Sequence, residues 1–221
     1  MVLSKRLNTC LQYTRGFSLL ADIGTDHAYL PIEAVNKGFV DKVLAIDNKE
    51  GPYVVALSNV LKANLSPKIK VILGDGLNKI TDEVDVVVIS GMGGKLISDI
   101  IIKDNLLNVK RLILQPNSDS FYIREVLKDI GFYIVDELYL SENTKYYEVL
   151  VLERGVKDYS KLEIKFGPYN LINKPYLFVK NITDQLDYLK KVLPNIINED
   201  KITDIKQKII SFEEVLVWMD K

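Results

Sequence analysis

The chain is 221 residues long, enough for one ordinary domain and a smaller second unit. With 48% apolar and 27% charged residues it has the make-up of a soluble globular protein; no run reaches the ~18 uncharged apolar residues of a membrane span, and Met1-Val2-Leu3-Ser4 does not open like a secretory leader. The single Cys10 excludes an internal disulfide and a cysteine-rich metal site and suits a reducing cytoplasm, while a net charge of −1 leaves any nucleic-acid contact to a local basic patch.

Ser4 is placed to cap a first helix reaching about Tyr13, with Leu3, Leu7, Cys10 and Leu11 on one face. The apolar run Phe17-Ser18-Leu19-Leu20 then leads through Ala21-Asp22-Ile23 into Gly24-Thr25-Asp26-His27-Ala28-Tyr29-Leu30-Pro31 and a helical pattern. A strand that ends in a tight glycine turn and passes straight into a helix is how a Rossmann-like domain grips a nucleoside cofactor. A dinucleotide site wants G-x-G-x-x-G so that bare backbone can approach a pyrophosphate. Here Asp26 and Ala28 or Tyr29 fill the later glycine positions. A carboxylate beside the turn repels pyrophosphate and suits a cofactor with no phosphate and a cationic tail. S-adenosylmethionine, with its adenosine, sulfonium and ammonium, fits that description.

Four more apolar runs end in small or polar clusters. Val43-Leu44-Ala45-Ile46 ends in Asp47 and Asn48, and Asp47 lies at the distance from Gly24 where a strand-end carboxylate meets ribose hydroxyls. Lys70-Val71-Ile72-Leu73 runs into Gly74-Asp75-Gly76, with Asp75 suited to accept from the adenine amino group. Val84 to Ile89 runs into Ser90-Gly91-Met92-Gly93-Gly94, which offers backbone without bulk and Met92 as a flexible apolar wall. Arg111-Leu112-Ile113-Leu114 ends in Gln115-Pro116-Asn117, whose two amides can read a base edge. In an open α/β sheet all these clusters share the carboxyl edge, where ligands bind. Each also has a plainer reading, as a turn or a cap; His27, the only histidine, can pack rather than line a site.

Asp119 to Lys128 reads as a helix closed by Gly131, and Phe132–Val135 and Tyr147–Leu152 as two last strands joined by a polar segment. After Gly155 strand signals stop. Lys174 to Leu193 reads as a helix with Leu177, Ile182, Leu186, Leu189 and Leu193 near heptad spacing. Pro194 interrupts it, and a second helix from about Asn198 to Met219 carries Ile202, Ile205, Ile209, Phe212, Leu216 and Met219 on one face. The expected division is residues 1–155 and a coiled-coil-like helical unit over 156–221.

The runs Asp22 to Pro31, Ser90 to Gly94 and Leu114 to Asn117, with Phe166-Gly167-Pro168-Tyr169 and the opening Leu3-Ser4-Lys5-Arg6-Leu7, resemble bacterial tRNA (adenine-22-N1)-methyltransferases of the TrmK type, in order and over essentially the whole chain. The resemblance implies an α/β class I methyltransferase domain with a mostly parallel seven-stranded sheet, one strand antiparallel at its end, and a C-terminal helical unit. It implies a cytoplasmic enzyme, expected as a monomer without metal, that methylates N1 of adenine 22 in tRNA. Asp22, Gly24, Thr25, Asp26, His27, Asp47, Asn48, Gly74, Asp75, Gly76, Ser90, Gly91 and Met92 are the expected cofactor residues. Candidates to stabilise charge on the alkylated base are the Ser90 and Gly91 carbonyls, Asp26, and the side-chain oxygens of Gln115 and Asn117. The tail lysines Lys161, Lys165, Lys174, Lys180, Lys190 and Lys191 are either a solvated surface or a footprint for tRNA phosphates. A methyltransferase acting on a protein or small molecule, and a non-catalytic RNA-binding module that keeps the cofactor fold, remain open alternatives; against a nicotinamide dehydrogenase stands Asp26.

Overall fold

A computed structural model describes residues 3–81, 83–103 and 106–220. Seven strands form one sheet: β1 (Leu19–Ile23), β2 (Lys42–Asp47), β3 (Ile69–Leu73), β4 (Val86–Met92), β5 (Arg111–Pro116), β6 (Phe132–Glu142) and β7 (Lys145–Arg154). Their order is β3-β2-β1-β4-β5-β7-β6. The first five run parallel, and β7 lies antiparallel between β5 and β6. β1, β2, β4 and β5 are continuous apolar runs because both faces are covered, while the edge strand β3 leaves Lys70 and Leu73 exposed. Alternate residues of β4 serve opposite cores, Val86 and Val88 on one side, Val87 and Ile89 on the other. The first face carries α1 (Lys5–Gln12), α2 (Tyr29–Asn36) and α3 (Glu50–Lys62); the second carries α4 (Gly94–Lys103) and α5 (Phe121–Ile130).

Several boundaries follow local chemistry. Ser4 caps α1 by accepting from the Leu7 N–H, as the sequence predicts. Gly131 closes α5 at φ +69, also as predicted, but α5 starts at Phe121 rather than Asp119. Asp119 sits at φ +56 in a turn pressed against Gly94, whose N–H donates to Ser118 O. The predicted polar joint between the last strands is instead mostly strand. β6 and β7 extend to a tight hairpin in which Asn143 and Thr144 both have positive φ, the backbone that a two-residue turn between twisted strands requires. Gly91, expected in a loop, is a bulge within β4: Ser90 pairs with Gln115 and Met92 with Pro116, leaving Gly91 at φ +79 outside the register.

Two short helices escape the sequence reading, α6 (Lys161–Phe166) and α7 (Pro168–Asn173). A reciprocal cap between Ser160 and Glu163 starts the first, and Pro168 starts the second. Then come α8 (Tyr176–Val192), a single 3₁₀ turn at Leu193–Asn195 where Pro194 was expected to break the helix, and α9 (Glu199–Met219). α8 begins after Pro175, with Lys174 left-handed at φ +46, so the predicted start at Lys174 is two residues early. The two helices pack antiparallel: the Lys190 ammonium meets Glu213, and that of Lys174 donates to the Met219 carbonyl. Phe178, Ile182 and Leu186 of α8 are buried, with Val215 and Met219 of α9. The buried face thus uses Phe178 where Leu177 was expected.

A buried ionic cluster fastens the tail to the sheet. Arg124 of α5, 2% exposed, pairs with Glu137 of β6 at 2.8 Å and Glu148 of β7 at 2.6 Å. Glu137 also accepts from the Tyr169 N–H at 2.9 Å, and Glu148 from the Asn170 amide at 2.5 Å. Gly167 passes over this cluster at φ +92, where a Cβ would lie 2.5 Å from a Glu137 oxygen and 2.8 Å from Arg124 Nη2. Gly167→Ala combines a strained backbone with a disturbed buried ion pair and is expected to cost about 3 kcal/mol in urea unfolding. An unchanged unfolding midpoint would show that the cluster has slack to give.

Candidate active site

β1 has β2 on one side and β4 on the other, so a crevice opens at their carboxyl ends. Asp47, 7% exposed at the end of β2, ties the loops around it. Its carboxylate accepts from the Asp26 N–H at 3.1 Å and the Lys49 N–H at 3.0 Å, and its carbonyl from the Gly74 N–H at 2.9 Å. The Asn48 amide donates to Asp75 at 3.1 Å, joining the second loop to the third again. On the other side of the crevice the Asn117 N–H donates to Met92 O at 2.7 Å, and its side-chain amide donates to Gly91 O at 2.6 Å.

Two cavities open between these seams, of about 370 and 520 Å³. Gly24, Asp47, Asn48, Lys49 and Met92 border both. A Cβ on Gly24, which has φ +72, would run into the Met92 methyl, so the bare glycine is what lets Met92 stand between them. The larger cavity adds Gly74, Asp75 and Gly76. The smaller adds Asp22, Thr25, Asp26, His27, Ser90 and Gly91, with Gln115. The structure thus brings every expected cofactor residue to one of the two. Asn117 borders neither; it lines an adjoining cleft with Tyr146 and Tyr147.

The donor set fits an adenosine with a cationic tail and does not fit a pyrophosphate. The turn after β1 keeps its N–H groups for itself: Gly24 and Thr25 both donate to Ile46 O, Asp26 to Asp47, and Ala28 to Thr25 O. What faces the cavities is rich in acceptors, the carboxylates of Asp22, Asp47 and Asp75. His27 sits at the mouth with Nε2 3.5 Å from Asp26, and its buried Nδ1 has no partner. Among the described residues no cluster could hold a metal ion. No described helix is long and apolar enough to cross a membrane.

The two amides expected to read a base do not stand free. Gln115 is fully buried, with its oxygen accepting from Arg6 at 3.2 Å and its amide donating to Pro116 O at 2.8 Å. The Asn117 oxygen accepts from the same Arg6 nitrogen at 3.0 Å. Arg6 reaches in from α1, pairs with Glu142 at 3.2 Å and lies over the Tyr147 ring at 4.5 Å. It borders the smaller cavity and, like Lys49, which borders both, is a site residue that the sequence reading missed. Its neighbours Leu7, Cys10 and Leu11 were read as a core face, which they are, and that periodicity says nothing about the polar residue between them.

The family model for tRNA (adenine(22)-N(1))-methyltransferase, TrmK, matches residues 20–215. The chain belongs to this family. It is 38% identical over 216 residues to a tRNA (adenine(22)-N(1))-methyltransferase of Bacillus subtilis, covering 94% of this chain and 91% of that one. The fold superposes on a Streptococcus pneumoniae protein in complex with S-adenosyl-L-methionine with a TM-score of 0.89, at 37% identity, covering 97% of this chain and all of the other. M. capricolum TrmK in complex with S-adenosyl-homocysteine gives a TM-score of 0.89 at 29% identity, covering 99% and 100%. The TrmK match spans the strands, the crevice and most of the helical tail.

Asp22 is the carboxylate of the site with the least water, 3% exposed. Burial pushes its pKa up from 3.8 to about 7; the Thr25 hydroxyl, donating at 2.7 Å, pulls the other way, and the Asp47 carboxylate adds to the rise. A raised acid favours the folded state at low pH, and that contribution is lost as pH climbs from about 4 through 7. Asp22→Asn keeps an acceptor for Thr25 and removes the charge. Its stability relative to wild type should therefore grow by about 2–3 kcal/mol between pH 5 and 8 in urea titrations. A difference that stays constant with pH would mean that Asp22 is ionised throughout.

Proposed function

We propose that this protein methylates N1 of adenine 22 in tRNA from S-adenosylmethionine within the two joined cavities. The observation that carries the reading is their division at Gly24 and Met92, one part rich in acceptors at the ends of β2 and β3, the other open beside the Gly91 bulge. Asp47, Asn48, Gly74, Asp75 and Gly76 hold the adenosine. Both Asp47 oxygens already accept a backbone N–H, and each keeps a lone pair for a ribose hydroxyl. Asp22, Thr25, Asp26 and His27 face the cationic tail. Ser90, Gly91 and Met92 line the path between that tail and the base.

When bound, S-adenosylmethionine supplies the electrophilic methyl group. Adenine N1 has a free lone pair, so the chain has no proton to remove and acts chiefly by alignment. Gly91 projects into open space, leaving room for an aromatic base. As N1 is alkylated, positive charge spreads to the amino group, and the Asp26 carboxylate with the Ser90 and Gly91 carbonyls supplies the stabilising oxygens. Gln115 and Asn117 are both held by Arg6 rather than meeting the base by free amides, and the Asn117 amide keeps the Gly91 carbonyl in place. N1 lies on the pairing edge, so the adenine must be unpaired or flipped out.

Every residue bordering the two cavities falls within 1–155, the part we assign to catalysis. The helices of 156–221 are then free to serve the RNA. The site of action is expected to be the cytoplasm and the working form a monomer.

The deciding experiment is in vitro methylation of tRNA followed by mass spectrometry that identifies and maps the modified nucleoside. N1-methyladenosine at position 22 is the expected product; label in protein or metabolites, or none in any RNA, overturns the reading. A second test is Gly91→Asn, since asparagine tolerates positive φ and its side chain would occupy the open space beside Met92. It is expected to lower tRNA methylation at least tenfold while S-adenosylhomocysteine affinity, by calorimetry, falls less than about tenfold, or roughly 1.4 kcal/mol. Wild-type turnover in a folded variant would move the base away from Gly91.

A further inference from the structure

The tail lysines divide into two groups. Lys180 pairs with Asp184, Lys190 with Glu213, and Lys174 is spent on the Met219 carbonyl. Lys174 and Lys190 tie α9 to the start and end of α8, and Lys180 is paired within α8. Lys161 and Lys165 of α6 make no ion pair among the described residues, and neither does Lys208 of α9. All three border one open cleft of about 580 Å³, floored by Phe121 and Ile164.

The cleft is electrostatically unfinished. Lys165 and Lys208 both border it; burial lowers the Lys165 pKa, the Glu214 carboxylate opposes this, and the like charge of Lys208 adds a smaller push downward. Glu125 and Asp204 stand on its rim without closing on any of the three lysines. None of the three ammonium groups has a carboxylate within ion-pair distance among the described residues; Lys165 lies over the Phe166 ring at 5.7 Å, and the cleft is left open to an anion from outside the chain. Phe121 ties the cleft to the crevice: it begins α5, directly after the Ser118–Ser120 turn that packs against Gly94 at the start of α4. Lys95 of α4, over the Tyr122 ring at 5.4 Å, lies on the path between the two. A net charge of −1 over the whole chain means that an RNA must be held by such a local patch.

We propose that Lys161, Lys165 and Lys208 form a seat for the phosphate backbone of the tRNA, holding it by charge without reading sequence. The proposal rests on the tRNA reading above. Phe121 and Ile164 supply an apolar floor for the lysine stems, which leaves the ammonium groups at the surface. Lys191, exposed and unpaired on α8, lies outside the cleft and is the matched control.

The test uses the full chain with three glutamines, K161Q/K165Q/K208Q, beside K191Q. Affinity for tRNA is measured by filter binding at several salt concentrations, with S-adenosylhomocysteine affinity as the check on folding. The triple variant should bind tRNA at least tenfold more weakly near 150 mM salt, with a salt slope flatter by about two units, since each phosphate contact contributes about 0.7–0.9. KM for tRNA should rise while kcat at saturating tRNA is kept, and K191Q should match wild type. Acetylation footprinting of the wild-type protein supplies the second readout: tRNA should protect Lys165 and Lys208 but not Lys191. Wild-type affinity and slope in the triple variant, or equal protection of Lys191, overturns the seat alone. A wild-type protein that binds no tRNA overturns the functional reading beneath it, and protection by an acidic peptide but not by tRNA assigns the cleft to a protein partner instead.

Discussion

Asp47 is the residue on which the geometry of the candidate site depends. Three loops leave the ends of β1, β2 and β3, and this one residue accepts a hydrogen bond from each. The loops after β1 and β3 carry Gly24, Gly74 and Gly76 next to the strand ends. Without a common anchor, the backbone freedom that glycine brings would leave the cavity floor undefined. The anchor works because parallel pairing in the order β3-β2-β1 brings the three strand ends level: Ile23 lies opposite Ile46, and Asp47 opposite Leu73. The carboxylate stabilises the loops and keeps acceptor capacity for a ligand. Structural and binding roles therefore overlap in one side chain, and a loss of cofactor affinity in an Asp47 variant would carry both.

The opposite wall is fixed by a different device. β4 and β5 end in a glycine bulge and an Asn117 that bridges back to it. Arg6 holds Gln115 and Asn117 from the outside, so the first helix closes the wall of a crevice built by the central sheet. The position of α1 is in turn set by β6: the Lys5 N–H donates to Glu142 at 2.6 Å, and the Tyr13 hydroxyl to Asp136 at 2.5 Å. Glu137 and Glu148, on this same hairpin, hold Arg124 of α5 and also bond α7 directly, at the Tyr169 N–H and the Asn170 amide. The antiparallel end of the sheet is thus the frame to which both chain ends are fixed, and it relates the tail to the crevice without contributing a residue to either cavity.

The parts of this arrangement that show in the sequence are those written as local pattern. Four of the five parallel strands, β1, β2, β4 and β5, announce themselves as apolar runs because burial on both faces leaves no room for alternation, and the strand-end clusters follow from the turns. The hairpin was half lost, because β6 from Leu138 and β7 up to Val149 run past the sheet to pair only with each other, and the polar residues between Asp136 and Lys145 read as a joint. α6 and α7 were lost because six residues carry too little periodicity, although the Ser160 to Glu163 cap stood in plain view. Gln115 and Asn117 were placed correctly and given the wrong freedom, since the partner that occupies them lies 109 and 111 residues away.

Arginine usage would have pointed to that partner. The chain has 24 lysines and only five arginines, and each arginine makes a directed contact that a point charge could not replace. Arg6 grips two amides and a carboxylate, and Arg124 two carboxylates. Arg111 joins Glu153 to the Tyr13 carbonyl, Arg154 joins the Val109 carbonyl to the Phe132 ring, and Arg15 lies over Phe39 at 4.3 Å. A planar fork can satisfy several acceptors at once and stack on a ring, whereas an ammonium is compact, flexible and strongly hydrated. Where a chain supplies nearly all its positive charge as lysine, a retained arginine marks a place where geometry is required. Read in that light, Arg6 stands out in the first ten residues and Arg124 in the middle of a helix. The lysines left over are the ones available to a partner whose backbone offers charge in many orientations.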